Sequence, residues 1–148
     1  MPITVTISTS SGLYLAESSQ QQVILSENGT SPRSQWNVSA LPGEGSAAAL
    51  AEAGGATVVP TVHSKIQNVY STSFLQFNQS QPAKNGLYPV WLTGGPMDAT
   101  TFEIGAMSSV SPMRIQVPNV NPNLFLQTDA VSVFFGPTAM NWVVQLVT

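Results

Sequence analysis

The sequence predicts an all-β domain of twelve short strands, arranged as three copies of a four-strand unit. Three observations predict it. Short apolar runs are bounded throughout by Gly, Pro, Asn and Ser, which is how strands joined by turns read. Helical periodicity is nearly absent. One rhythm of runs also recurs three times along the chain.

The first strand is Ile3-Thr4-Val5-Thr6-Ile7, where apolar and threonine side chains alternate between two faces. The recurring rhythm then starts at Leu13-Tyr14-Leu15, Leu75-Gln76-Phe77 and Leu124-Phe125-Leu126. After a polar turn each is followed by Val23-Ile24-Leu25, Val90-Trp91-Leu92 and Val133-Phe134-Phe135. A further turn leads to Trp36-Asn37-Val38, Phe102-Glu103-Ile104 and Trp142-Val143-Val144. Ile3-Thr4-Val5, Lys65-Ile66-Gln67 and Arg114-Ile115-Gln116 supply the strand before each triplet. The spacing from Ile66 to Leu75 equals that from Ile115 to Leu124, which aligns those two copies. The expected organisation is one domain, 1–148, with repeats 2–41, 64–107 and 113–148. The insertion 42–62 contains the Ala-rich stretch Gly45 to Ala53, a candidate short helix between Pro42-Gly43 and Gly54-Gly55.

Three four-strand units are too few for a typical propeller, and a threefold register does not suit an immunoglobulin-like sandwich. Packing around one pseudo-threefold axis fits the length, and that architecture is the β-trefoil. Leu13, Leu15, Val23, Leu25, Trp36 and Val38 then point into the shared core. So do Leu75, Phe77, Val90, Leu92, Phe102 and Ile104, with Leu124, Leu126, Val133, Phe135, Trp142 and Val144. Trp36, Phe102 and Trp142 fall at one repeat position and read as core aromatics.

This cysteine-free pattern resembles the ricin B-like β-trefoil lectins, in particular the small cytoplasmic lectins of mushroom fruiting bodies. The resemblance implies a carbohydrate-binding function with related sites on one body. It departs from the ricin pattern in two ways. The Gln-x-Trp signature is replaced by Ser34-Gln35-Trp36, Thr100-Thr101-Phe102 and Met140-Asn141-Trp142. The aspartate of the second strand is replaced, in this alignment, by Tyr14, Gln76 and Phe125.

Composition narrows the function classes. The chain is 43% apolar but only 7% charged, against roughly 25% in a typical domain. Its basic residues, Arg33, Lys65, Lys84 and Arg114, are scattered, so no basic run exists to neutralise a phosphate backbone and nucleic acid is not an expected partner. Without cysteine, disulfides and thiolate metal sites are excluded. His63 stands alone, which disfavours a His/Cys metal site, and it reads as a surface or strand-edge residue. The seven carboxylates show no paired spacing. The chain is therefore expected to be neither an enzyme nor a cofactor carrier. The N-terminus lacks a secretory signal and no run is long enough to cross a membrane, so a cytoplasmic protein without membrane insertion is expected. The sequons at Asn28, Asn37 and Asn78 then read as bare polar loop residues.

A sugar needs an aromatic or apolar face for its C–H surface and amide or carboxylate groups for its hydroxyls. The second repeat offers both. Alternation turns Trp91 away from the core, Asp98 follows in Gly94-Gly95-Pro96-Met97-Asp98, and Asn78 and Gln79 lie in the preceding hairpin. The third repeat has an analogous set in Asp129, Phe134 and Asn141. The first, with Ile24 in place of the aromatic, has Glu27, Asn28 and Arg33. These features predict glycans or glycoproteins as partners, bound at several sites, and the lectin resemblance implies galactose or N-acetylgalactosamine type. A second reading is a β-trefoil protease inhibitor displaying Lys84 or Arg33 on a rigid loop. The segment 57–62 also offers an edge strand for a homodimer.

Overall fold

A computed structural model describes residues 3–38, 62–80, 86–106, 113–118, 120 and 123–147. The Ala-rich stretch, segment 57–61 and Lys84 lie outside them. The strands among the described residues are β1 (Ile3–Ser8), β2 (Tyr14–Glu17), β3 (Val23–Ser26), β4 (Trp36–Val38), β5 (Val62–Ser64), β6 (Ile66–Asn68), β7 (Phe74–Gln76) and β8 (Tyr88–Pro89). They continue as β9 (Trp91–Thr93), β10 (Phe102–Ala106), β11 (Met113–Val117), β12 (Leu124–Thr128), β13 (Val133–Gly136) and β14 (Val143–Leu146). The described helical element is one 3₁₀ turn, Pro32–Ser34, capped by Ser31 Oγ accepting from Arg33 N. The protein is all-β.

Fourteen strands therefore stand where twelve runs were read. Two of the runs change partners midway. The run through Lys65 pairs β5 with β10 and then β6 with β4. The run through Val90 pairs β8 with β13 and then β9 with β7. Pro89 also lacks the N–H that a continuous ladder would use. These two switches join an eight-stranded and a six-stranded sheet.

Register relates three hairpins more directly than spacing does. The pairs Leu15↔Leu25, Leu75↔Leu92 and Leu126↔Phe135 hold matching places in them. Counting from Ile7, Ile66 and Ile115, which face Val144, Val38 and Ile104, those leucines lie eight, nine and eleven positions on. The equal spacing of Ile66–Leu75 and Ile115–Leu124 is thus not an equivalence, because the β11–β12 connection is longer. The second-copy alignment shifts by two residues. Leu13 is half-buried and outside the core cluster, whereas Leu124, at the same place in its hairpin, is buried in it. The position aligned with the ricin aspartate becomes Tyr14, Phe74 and Phe125, still without a carboxylate.

The core contains Val5, Ile7, Leu15, Trp36, Val38, Ile66, Leu75, Phe102, Ile104, Ile115, Leu126, Phe135, Trp142 and Val144, with Leu25, Val90 and Leu92 packed against it. Trp36, Phe102 and Trp142 are each fully buried. A buried indole N–H needs an acceptor. Trp36 Nε1 donates to Leu15 O at 2.9 Å and Trp142 Nε1 to Leu126 O at 2.8 Å. In the second copy Phe102 has no N–H to give. There the equivalent carbonyl, Leu75 O, accepts from the Thr100 backbone N–H at 3.3 Å, and Phe102 stacks on Phe135 with centroids 5.7 Å apart.

Candidate functional site

The second lobe brings Trp91 and the Asp98 loop together through Gln76. Trp91 sits directly across from Gln76, so their side chains share the outer face of the hairpin. The Gln76 amide reaches on to donate to Asp98 O at 3.1 Å. The loop is closed by Asp98 N–H to Gly95 O at 3.2 Å, and Lys65 Nζ donates to Pro96 O at 2.7 Å. Every one of these bonds takes a backbone carbonyl. The Asp98 carboxylate has no hydrogen-bond partner among the described residues, and Trp91 remains 42% exposed. A planar apolar face and a free carboxylate on a braced turn can meet, respectively, the C–H and O–H surfaces of a sugar.

Asn78 and Gln79 are placed differently. Asn78 Oδ1 accepts from Ser80 N and Oγ, so it caps its own turn. Gln79 lines a separate pocket of about 150 Å³ with Phe77, Tyr88 and Leu124. In the third lobe Phe134 is half-buried across from Gln127, and Asn141 is exposed. Gln127 holds the register position of Gln76 but bonds its loop in the opposite sense, its Oε1 accepting from Thr138 N at 3.3 Å. Asp129 Oδ1 accepts from Val131 N and Ser132 N. Those two donors, Ser132 first, hold its carboxyl below the ordinary aspartate range.

The first lobe forms a cleft of about 350 Å³ lined by Glu17, Ser18, Ser26, Asn28, Arg33 and Ser34 among others. Glu17 is almost fully buried and accepts from Ser71 Oγ at 2.5 Å. Arg33 Nη1 donates to Ser18 O at 3.0 Å, and its guanidinium lies 4.0 Å over the Tyr70 ring. Tyr14 packs so closely under Gly29 that a Cβ there would lie 2.5 Å from the ring. The Arg33 head is thus engaged by Ser18 O and the Tyr70 ring rather than displayed as an inhibitor's loop residue would be.

Of the sequons, Asn37 is not a loop residue. It lies in β4 and accepts from Thr4 Oγ1 at 2.9 Å. His63 lies in β5, half-buried, with Nε2 3.5 Å from Glu103 Oε2. Val62 pairs with Ile104 of its own chain. Among the described residues there is no cluster of three potential metal ligands, and no helix long and apolar enough to cross a membrane.

Sequence reasoning missed the braces. Gln76 and Gln127 were invisible as a pair because the two-residue slip placed them out of register. Buried Glu17 looked like any strand-end carboxylate. Asn68 is fully buried and donates to Arg33 O while accepting from Tyr70 N and Ser71 N. An asparagine ending a strand before Val69-Tyr70-Ser71-Thr72 was the available signal for that turn.

No family model matches the chain, and no curated protein matches it by sequence. Solved structures match in fold. One is a ricin B-like lectin of Macrolepiota procera in complex with lactose. It is 15% identical, with a TM-score of 0.67 over 97% of this chain and 95% of that one. Another is a Caenorhabditis elegans protein of unknown function. It is 13% identical, with a TM-score of 0.69 over 98% of this chain and 94% of that one. The chain has a ricin B-like lectin fold.

Proposed function

We propose that this protein is a carbohydrate-binding β-trefoil that acts without catalysis. It would read galactose- or N-acetylgalactosamine-type ends of glycans and glycoproteins at related places on its lobes. The observation that carries this reading is the second-lobe arrangement, in which Trp91 stays exposed while its neighbours brace the Asp98 loop through backbone carbonyls. Trp91 stacks on the sugar's C–H face and Asp98 accepts from its hydroxyls. Phe134 and Asn141 serve the third lobe in the same way, with the Asp129 oxygen that its turn does not use. Three observations support a threefold design. The hairpin registers coincide, Leu15 and Leu126 carbonyls accept the same indole bond, and Gln76 and Gln127, at one register position, each bond a backbone group of the following loop. The fold shared with a lactose-bound lectin agrees with sugar as the ligand class. Related sites on one body would bind multivalent glycans through avidity.

A glycan array with the wild-type protein and with Trp91→Ala/Asp98→Ala tests the reading. Trp91 is the exposed tryptophan, whereas Trp36 and Trp142 are fully buried, so intrinsic fluorescence follows any hit at this site. The expected result is selective binding to galactose-terminated glycans, lost at least tenfold in the double variant. A blank wild-type array overturns the carbohydrate reading. Binding that survives in the double variant overturns the second-lobe site.

A further inference from the structure

The three hairpins that carry Val23, Val90 and Val133 together line a depression of about 500 Å³, called axial after the threefold arrangement that the sequence predicts. Its position follows from register. Val23, Val90 and Val133 each stand two residues before the equivalent core positions Leu25, Leu92 and Phe135, and all three line the depression while packing on the core. Each lobe therefore contributes the same strand position to one shared floor.

The rim is unlike the rest of the surface. Five large hydrophobic residues are exposed among the described residues, and three of them, Ile24 (37%), Trp91 (42%) and Val131 (83%), line this one depression. Facing them are Gln21, Gln22 and Ser132. Among the described residues no charged side chain lines it. The rim is also held rigidly at two hairpin turns. Gln21 (φ 61°), itself on the rim, and Ala130 (φ 75°), beside Val131, adopt the left-handed conformation that non-glycine residues avoid, as does Thr72 (φ 62°) away from it. Their turns are fixed by Gln21 N–H to Ser18 O and by the two N–H donors on Asp129.

A neutral lining with apolar surface on one side and amides and a hydroxyl on the other matches a sugar ring, which has a C–H face and a hydroxyl edge. It does not match a charged ligand. Trp91 is the wall between this depression and the Asp98 loop. We infer that the axial depression is a second saccharide subsite, occupied by the next sugar of a glycan whose terminal sugar lies at Asp98, with Trp91 between the two. This rests on the carbohydrate reading and specifies its ligand class as an oligosaccharide rather than a single sugar.

Val131→Arg tests it, because Val131 projects into solvent and its replacement fills the rim without touching the core. Calorimetric titration would use galactose, lactose and a galactose-terminated tetrasaccharide. In the wild type the tetrasaccharide should bind at least fivefold tighter than galactose. Val131→Arg should abolish that advantage and leave galactose affinity within twofold, whereas Asp98→Ala should weaken both. If the tetrasaccharide binds no tighter than galactose, or keeps its advantage in Val131→Arg, the axial subsite is wrong while the lobe site stands. If no sugar binds, the carbohydrate reading falls and takes this inference with it. An apolar dye displaced from Trp91 without any sugar effect would also overturn it.

Discussion

The first and second lobes share a hairpin register but differ in what their polar side chains hold. In the first, the charged and polar side chains are themselves tied into the fold, by backbone groups, by one another or by a ring. Arg33 covers Tyr70, Ser71 donates to Glu17, and Asn68 ties the two lobes through Arg33 O. In the second, side chains bind backbone. Lys65 and Gln76 take the carbonyls of Pro96 and Asp98, and the side chains of Trp91, Met97 and Asp98 are left outward. The same scaffold thus yields one flank whose charged groups are consumed in folding and one whose groups remain available. Availability for binding is created by bracing a loop through its carbonyls.

The largest effect should come where the lobes are built alike. Trp36→Ala empties a fully buried position and should cost about 3–5 kcal/mol in denaturant unfolding. Trp36→Phe is more informative, since it imports the second lobe's residue without its Thr100 donor. Leaving Leu15 O without the indole should cost about 1–3 kcal/mol. A Trp36→Phe protein as stable as wild type would break the equivalence of the two carbonyls.

Next in size is Asn68→Ala, which strands two backbone N–H groups and Arg33 O at a fully buried site. A loss of about 2 kcal/mol is expected. Trp91→Ala measured alongside should change stability by less than about 0.5 kcal/mol, as surface substitutions do. Equal losses in the two variants would erase the distinction between a structural first flank and an available second one. Arg33→Ala should fall between them, at about 1 kcal/mol from a lost carbonyl bond and cation–π contact. Any trypsin inhibition by the wild type should be unchanged in Arg33→Ala, because that guanidinium is already engaged.

How much of this was legible in the sequence depends on the periodicity involved. Core positions such as Trp36, Phe102 and Trp142 were readable because alternation and repetition both mark them, and burial enforces both. Trp91's outward direction followed from period two alone. Partner switching at Lys65 and Val90 was not readable, since a strand that changes neighbours keeps its local pattern. The two-residue slip arose because connection length is nearly free of energetic constraint, so equal spacing imitated equivalence. Gln76, Gln127 and the axial rim were hidden for the same reason: each depends on residues far apart in sequence meeting at one register position. The ligand-facing part of a site was therefore less visible than its scaffold.

The smallest effect concerns Asp129, which contrasts with Asp98 as an acid already employed by its own turn. The N–H groups of Ser132 and Val131 favour its ionised form and lower its pKa in the folded state. Unfolding releases those donors and returns the group to about 3.9. The unfolded chain thus binds the proton more readily, and the stabilisation is fully present above that value and lost as pH falls through the folded pKa. Asp129→Asn removes the titration but keeps an acceptor oxygen for the turn. The stability difference between wild type and Asp129→Asn should accordingly be flat from pH 5 to 8 and shift against the wild type below about pH 4. Because Asp129 is exposed, the shift will be small and read best from paired acid-unfolding curves. Parallel curves through the whole acid range would mean that the turn does not depend on the charge, and Asp129 would then be as free as Asp98 to meet a ligand.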